Sequence, residues 1–153
     1  MDKPASETFM AQALAEAHAA ADRGEVPVGA VVVDTQTGAV LAQAGNETEA
    51  GPDPTAHAEV LAIRRAAAAK GTARLTDCDL YVTLEPCAMC AAAISHARIR
   101  RLYFGAYDPK GGGVEHGPRF FAQPTCHHAP EVIGGVMETK ASDLLKAFFK
   151  ERR

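Results

Sequence analysis

Two short segments, separated by 26 residues, constrain this chain more than any other feature of its sequence. The first is Thr-Ala-His-Ala-Glu at residues 55–59, and the second is Pro-Cys-Ala-Met-Cys at residues 86–90. Zn²⁺ prefers nitrogen and sulfur ligands in a tetrahedron, and a catalytic site leaves one corner for water. His57, Cys87 and Cys90 would fill three corners, so a water molecule could take the fourth and ionise near neutral pH.

Glu59 stands two residues after His57 in the sequence. A carboxylate competes poorly for zinc that thiolates already hold, so we expect Glu59 to carry protons. Residues 56–70 predict a helix, with Asp-Pro-Thr at 53–55 as its capping turn and Gly71 as its stop. On a regular helix His57 and Glu59 would diverge by about 200°. We therefore expect His57 at the irregular start of the helix and Glu59 in its first full turn.

The second segment also predicts the start of a helix. Pro86 suits a first helical turn, and the helix would run from residue 87 to about residue 96. Cys87 and Cys90 are spaced i and i+3, which places both sulfur atoms on one face. Both sets of candidate ligands then lie at helix N-termini, where the partial positive charge favours thiolate over thiol.

Each segment alone is compatible with other kinds of site. Cys-x-x-Cys is also typical of a redox pair or of half a structural zinc site, and His-x-Glu is common. The two segments together, each at a predicted helix start and the second after a predicted strand, favour a catalytic metal centre.

Composition bounds the class of protein. A chain of 153 residues can form one domain with a substantial core, and we predict a single domain over residues 1–153. The hydrophobic content of 47% is ordinary for a soluble globular protein. We expect no signal peptide, because residues 1–7 contain no apolar run. We expect no membrane span, because no stretch approaches ~20 apolar residues. Four cysteines, two of them assigned to metal, favour a reducing cytoplasm over a disulfide framework.

The net charge of −3 conceals an uneven distribution of charge. Residues 1–60 carry a balance of −8, whereas residues 61–153 carry +5. A basic half can meet a polyanion even when the whole chain is acidic. A solvated surface can show the same asymmetry, so charge alone leaves both interpretations open.

The pattern of apolar residues predicts an α/β protein. Helices are expected at 6–23 and 138–150 in addition to the two at the metal segments, and strands at 27–33, 39–45, 79–84, 99–106 and 131–136. These elements indicate a three-layer α/β/α domain around a five-stranded mixed sheet. The first two strands would be antiparallel, and the strand–helix–strand unit around the cysteines would form a right-handed parallel crossover. A loop at 107–124 with three successive glycines would be a substrate lid.

Several strings in the sequence resemble one superfamily. They are residues 25–31, 53–59 and 80–90, the Phe-Gly-Ala at 104–106 followed by Asp108, and the ending with paired Leu, Phe and Arg residues at 144–153. Together they resemble the cytidine deaminase superfamily and, within it, the bacterial tRNA-specific adenosine deaminases. The resemblance extends from about residue 8 to the C-terminus and implies the cytidine-deaminase-like fold.

The resemblance implies a function. The substrate would be the wobble adenosine of a tRNA anticodon stem-loop, hydrolysed to inosine with release of ammonia. Each subunit would hold one Zn²⁺ ion, and Glu59 would shuttle protons. A homodimer is implied, in which each active site borrows from its partner.

The same resemblance points to residues that would bind the substrate. Asn46 would contact the base, Asp108 a neighbouring ribose, and Phe149 a flanking nucleotide. The backbone N–H of Ala58, at a predicted helix start, is a further candidate donor to the base or to developing charge.

Residues 111–130 depart from the family pattern, so the reaction type is implied more firmly than the substrate. One alternative is a deaminase of free cytosine, guanine or adenosine. Another is a non-catalytic zinc module, in which Cys126 and His127 or His128 would close the metal site; these residues would otherwise serve packing. Clustered basic residues favour RNA over a free base, and they are Arg98, Arg100, Arg101, Lys146, Lys150, Arg152 and Arg153.

Overall fold

The structure, a computed structural model, describes residues 4–152, within which strands and helices follow one another around one sheet. The strands are β1 (Gly29–Asp34), β2 (Val40–Gly45), β3 (Cys78–Leu84), β4 (Arg101–Ala106) and β5 (Glu131–Ile133). The helices are α1 (Ala5–Asp22), α2 (Ala58–Lys70), α3 (Ala88–Ala97) and α4 (Glu138–Glu151), with a short 3-10 turn at Phe120–Ala122.

The five strands form a mixed sheet in the order β2-β1-β3-β4-β5. Strand β1 pairs antiparallel with both β2 and β3, while β3 with β4 and β4 with β5 are parallel pairs. The predicted antiparallel hairpin and parallel crossover are therefore confirmed. All six residues of β1 are buried, which explains why this strand has a continuous apolar sequence rather than an alternating one.

Helices cover both faces of the sheet, as the three-layer prediction requires. Because side chains alternate along a strand, Val32 of β1 packs on one face and Val31 on the other. The first face carries α2 and α3 and the second carries α1 and α4. Small residues allow close packing here: a Cβ on Gly29 would collide with the backbone of α1 at Ala13.

Several predicted boundaries differ from the structure by one to three residues, and three of them have a clear local reason. Helix α2 begins at Ala58 and not at residue 56, because Asp53 caps a preceding turn by accepting from the N–H and the hydroxyl of Thr55. Helix α3 begins one residue after Cys87, which is its N-cap. Strand β5 ends at Ile133, since Gly135 takes a positive φ of 82° and turns the chain away.

Helix α4 buries only some of its apolar residues. Ala141 and Phe148 are buried, whereas Phe149 is 47% exposed. Among the described helices, none combines the length and the apolar character needed to cross a membrane.

Candidate active site

The three predicted metal ligands come together at the starts of two helices. His57 is the N-cap of α2 and Cys87 the N-cap of α3, both with extended backbone, and Cys90 lies in the first turn of α3. The Nδ1 atom of His57 is 3.6 Å from the Sγ atom of Cys87 and 3.4 Å from that of Cys90. The expectation that His57 precedes the regular helix, with Glu59 inside it, is confirmed.

These distances fit a zinc ion. Zn–S and Zn–N bonds of about 2.3 and 2.0 Å in a tetrahedron separate the nitrogen and sulfur ligands by about 3.5 Å. All three ligand atoms lie within 4.8 Å of one another, and within residues 4–152 this cluster contains no fourth His, Cys, Asp or Glu. The donor set therefore suits zinc with one coordination position left for water.

The two thiols have opposite acidities. Hydrogen bonds from Cys90 and from His57 lower the pKa of Cys87 to about 4, against the effect of burial. The adjacent Cys87 thiolate and then burial raise the pKa of Cys90, and the hydrogen bond with Cys87 raises that of His57. The protein alone therefore retains protons on this cluster, and a metal ion must displace them.

We expect zinc affinity to fall as the pH is lowered from 8 to 5.5, because protons and metal compete for the same atoms. Each displaced proton contributes about a tenfold change in affinity per pH unit. Competition with a chelator whose own protonation is corrected for measures this slope. A zinc affinity that is constant across the range would contradict the proton sharing described above.

Glu59 lies in the first turn of α2 and is 4% exposed. Burial raises the pKa of its carboxyl group to about 7, with a further contribution from the negative charge of Cys87. A carboxyl group that gains and loses a proton near neutral pH suits general acid–base catalysis. A bound dication would lower this pKa and favour the carboxylate that accepts a proton.

Asn46 links the end of β2 to the start of α2. Its side-chain Oδ1 accepts a hydrogen bond of 2.8 Å from the backbone N–H of Ala58, which also defines the orientation of the amide. Within the described residues no side-chain N or O atom is both buried and without a partner. Among the described residues, the Asn46 NH₂ group has no hydrogen-bond partner. This nitrogen is therefore accessible from outside the protein and can donate a hydrogen bond.

Asp108 and Phe149 line one groove beside the end of β3, together with Val26, Leu84 and Tyr107. The Oδ1 atom of Asp108 accepts from the backbone N–H groups of Lys110 and Gly111 in a tight turn. An adjoining groove shares Phe149 and is lined by basic residues, namely Lys110, Lys146, Lys150 and Arg152. Arg153, predicted to belong to this basic ending, lies outside the described residues.

Cys126 and His128 lie beside the C-terminal end of α3, which is too far from the metal ligands at its N-terminal end for them to complete the metal site. The Sγ atom of Cys126 lies 3.6 Å from the hydroxyl of Ser95 in the last turns of α3, and His128 Nε2 lies 2.7 Å from the carbonyl of Ile99. With a rise of 1.5 Å per residue, Ser95 is about 12 Å along the helix from Cys87. The closed four-ligand alternative is therefore wrong for Cys126 and His128, and exposed His127 joins no metal cluster among residues 4–152.

Sequence reasoning missed two buried carboxylates near the site. Glu85 directly precedes Pro86, and Glu25 accepts from the N–H groups of Glu49 and Ala50 in the loop after β2. Both are 2% exposed. The sequence did contain a signal for them, namely an acidic residue next to an apolar strand. A carboxylate at such a position is costly to bury unless hydrogen-bond donors surround it.

Three protein ligands that leave one zinc coordination position for water, beside a buried carboxyl group, are typical of zinc-dependent hydrolases. The model of the family described as "Cytidine and deoxycytidylate deaminase zinc-binding region" matches residues 3–106, which is more than half of the chain. The chain belongs to this family. It is a zinc-dependent deaminase, and its cofactor is zinc.

Similarity to individual proteins extends over nearly the whole chain. The tRNA-specific adenosine deaminase of Agrobacterium fabrum is 59% identical over 145 residues, covering 95% of this chain and 94% of the relative. That of Bacillus subtilis is 44% identical over 147 residues, covering 96% and 90%. A structure solved in a study of A-to-I editing by tRNA:A34 deaminases has a TM-score of 0.87 and 59% identity, covering 90% of this chain and 99% of that one.

The fold is shared more widely than the sequence. A guanine deaminase from Nitrosomonas europaea superposes with a TM-score of 0.81 at 23% identity, covering 97% of this chain and 85% of that one. This likeness supports the predicted cytidine-deaminase-like α/β/α fold with its five-stranded mixed sheet.

Proposed function

We propose that this protein is a tRNA-specific adenosine deaminase, which hydrolyses the wobble adenosine of a tRNA anticodon loop to inosine and releases ammonia. The observation that carries the proposal is the 59% identity, over nearly the full length of both chains, to a relative of that name. The groove beside the metal centre, with its exposed aromatic ring and basic rim, suits an RNA strand.

His57, Cys87 and Cys90 hold the zinc ion, which supplies an acidified water as the nucleophile when it is bound. Glu59 takes a proton from the attacking water and transfers it to N1 of the adenine. Glu59 then takes the proton of the new hydroxyl group at C6 and passes it to the exocyclic amine as the bond between C6 and that nitrogen breaks, so that water and adenosine become inosine and ammonia. Burial of Glu59 keeps this proton away from bulk solvent.

Asn46 binds the splayed base through its NH₂ group, which donates to an acceptor nitrogen of the purine. Its carbonyl oxygen is held by the N–H of Ala58, so Ala58 contributes to substrate binding by orienting Asn46. Direct donation from Ala58 to the base stays a prediction, and it would require Asn46 to release this N–H.

Asp108 and Phe149 hold the neighbouring nucleotides. The Oδ1 atom of Asp108 is engaged by its own turn, which leaves Oδ2 to accept from a ribose hydroxyl. Phe149 offers an aromatic face on which a flanking base can stack, and the nearby lysines and Arg152 attract phosphate.

Replacing Phe149 with alanine is expected to weaken binding of an anticodon stem-loop by about 1–3 kcal/mol, the usual contribution of one stacked base. Because Phe149 is 47% exposed, the unfolding temperature should change little. Fluorescence anisotropy with a labelled stem-loop measures the affinity. Phe121→Ala is the control, because Phe121 packs on the face of the sheet opposite to α4. Equal affinity for wild type and Phe149→Ala would remove Phe149 from the RNA-binding surface.

The substrate assignment is tested by comparing RNA with free bases. The zinc-loaded protein is incubated with an anticodon stem-loop that carries adenosine at the wobble position, with the same stem-loop carrying guanosine there, and with free cytosine, guanine and adenosine. Inosine in the first RNA alone is the expected result. Deamination of a free base or nucleoside with a comparable kcat/KM would favour the alternative function.

Three further statements stay predictions that rest on this function. One deaminase domain would span residues 1–153, the working form would be a homodimer whose active sites include partner residues, and the protein would act in the cytoplasm. Light scattering during gel filtration determines the number of subunits directly.

A further inference from the structure

The buried carboxylate of Glu85 has no part in the chemistry above, although it stands two residues before Cys87. It lies at the end of β3, and its side chain is 0% exposed. Its Oε1 atom accepts from the backbone N–H of Asp108 at 3.0 Å and lies 2.8 Å from Nδ1 of His116. Its Oε2 atom accepts from three consecutive N–H groups, those of Val114, Glu115 and His116.

These hydrogen bonds draw the loop after β4 against the segment that carries Cys87. The N–H of Gly113 donates to the carbonyl of Pro86 at 2.8 Å. A Cβ on Gly113 would stand 2.6 Å from the backbone nitrogen of Ala88 and 2.9 Å from the carbonyl carbon of Cys87. The loop backbone therefore touches the peptide that bears the metal ligand, with no room for a side chain between them.

Gly112 is in similarly close contact with the Glu85 carboxylate. A Cβ there would overlap the carboxylate of Glu85 and would stand 2.5 Å from the carbonyl oxygen of Asp108. The glycines predicted to belong to a flexible substrate lid thus lie in close contact with Glu85 and the start of α3. This part of the loop is therefore packed directly against the segment that carries Cys87.

We propose that Glu85, Gly112 and Gly113 form a clamp that positions Cys87 for zinc, with Glu85 as its positioning residue. The clamp needs a carboxylate because backbone and imidazole donors approach both of its oxygen atoms. An amide at this position would turn its NH₂ group towards at least one backbone N–H, whichever way it is oriented. Glu85→Gln therefore loosens the loop at nearly constant volume.

The clamp acts on the metal centre and does not depend on tRNA being the substrate. Residues that orient metal ligands typically change metal affinity by about 10–100-fold when they are replaced. We expect a loss of that size in zinc affinity for Glu85→Gln, and a loss in the same direction for Gly113→Ala, whose methyl group would push the loop away from Cys87.

Asp79→Asn is the matched control. Asp79 is also a buried carboxylate of β3, but it lies at the opposite end of the strand and accepts two hydrogen bonds from Arg100. Its replacement weakens the ion pair between the buried Asp79 carboxylate and the Arg100 side chain, which is 44% exposed, without touching the clamp. We expect it to lower the free energy of unfolding while zinc affinity stays within about threefold of wild type, well below the loss expected at the clamp.

The experiment compares the three variants with wild type as folded, purified protein without RNA. Chelator competition gives the zinc affinity, and the visible absorption of the Co²⁺-substituted protein reports the geometry of the thiolate ligands. A weaker affinity and an altered Co²⁺ spectrum in Glu85→Gln and Gly113→Ala, but not in Asp79→Asn, support the clamp. Wild-type affinity in Glu85→Gln, or an equal loss in Asp79→Asn, would overturn it. If Glu85→Gln does not fold, Gly113→Ala against Asp79→Asn decides.

Discussion

Glu59→Ala is expected to lower the rate of deamination by about 10²–10⁴-fold, the usual contribution of a general acid–base group. The carboxyl group lies beside the metal ligands, is 4% exposed and has a pKa raised to about 7 by burial. Without it, the group that carries the proton from water to N1 and to the leaving amine is lost. Zinc should stay bound, because Glu59 is not part of the ligand cluster.

Single-turnover deamination of the stem-loop, with zinc measured on the same sample, checks both parts of this expectation. Glu131→Ala is the control, since it removes a carboxylate whose side chain is 60% exposed and pairs with Arg101 on the sheet edge. Substantial turnover by Glu59→Ala would take Glu59 out of the mechanism. A loss of zinc in the same variant would instead make Glu59 a contributor to metal binding.

Cys87→Ser is expected to lower zinc affinity by more than about 100-fold, beyond the range seen when only a supporting residue is lost. The thiolate of Cys87 has a pKa lowered to about 4, chiefly by the hydrogen bond from Cys90, so it is the ligand that is most readily available at neutral pH. A serine hydroxyl keeps its proton there and is a poor ligand. Turnover should fall in proportion to the zinc that is lost.

Cys126→Ser separates this prediction from a general effect of losing a cysteine. Cys126 contacts Ser95 and the backbone of His128 and not the metal cluster, so its replacement should leave zinc content unchanged. Metal analysis of both variants after dialysis gives the comparison. Full zinc occupancy in Cys87→Ser, or zinc loss in Cys126→Ser, would contradict the assignment of ligands.

The sequence predicted which residues cluster at the two helix starts because their geometry is mostly local. Cys87 and Cys90 are neighbours on one helical turn, and His57 and Glu59 lie within three residues of one another at another helix start. Local spacing also predicted the order of the elements. The predicted boundaries were less accurate where a side chain forms a hydrogen bond with the backbone just outside a helix, as Asp53 does with the N–H of Thr55 before α2.

The role of the glycine-rich loop was not readable from the sequence. Three successive glycines predict a conformationally flexible loop. In the structure, however, Gly112 lies so close to Glu85, and Gly113 so close to the backbone of Cys87, that neither position has room for a Cβ atom. That approach joins residues more than twenty positions apart, and no pattern of local spacing reports it. The exposure of Phe149, next to the buried Phe148, likewise depends on how α4 lies against the sheet.

The sequence by itself determined the chemistry: residue types and short-range spacing specify a nitrogen, two sulfurs and a carboxyl group at two helix starts, and each helix start is encoded within a few residues. Only the tertiary structure decided that these two helix starts meet, that Asn46 gives its oxygen to Ala58 and keeps its NH₂ group free, and that Glu85 holds the loop against Cys87. The reason is that buried polar groups must find partners wherever the fold places donors, and those donors come from distant parts of the chain.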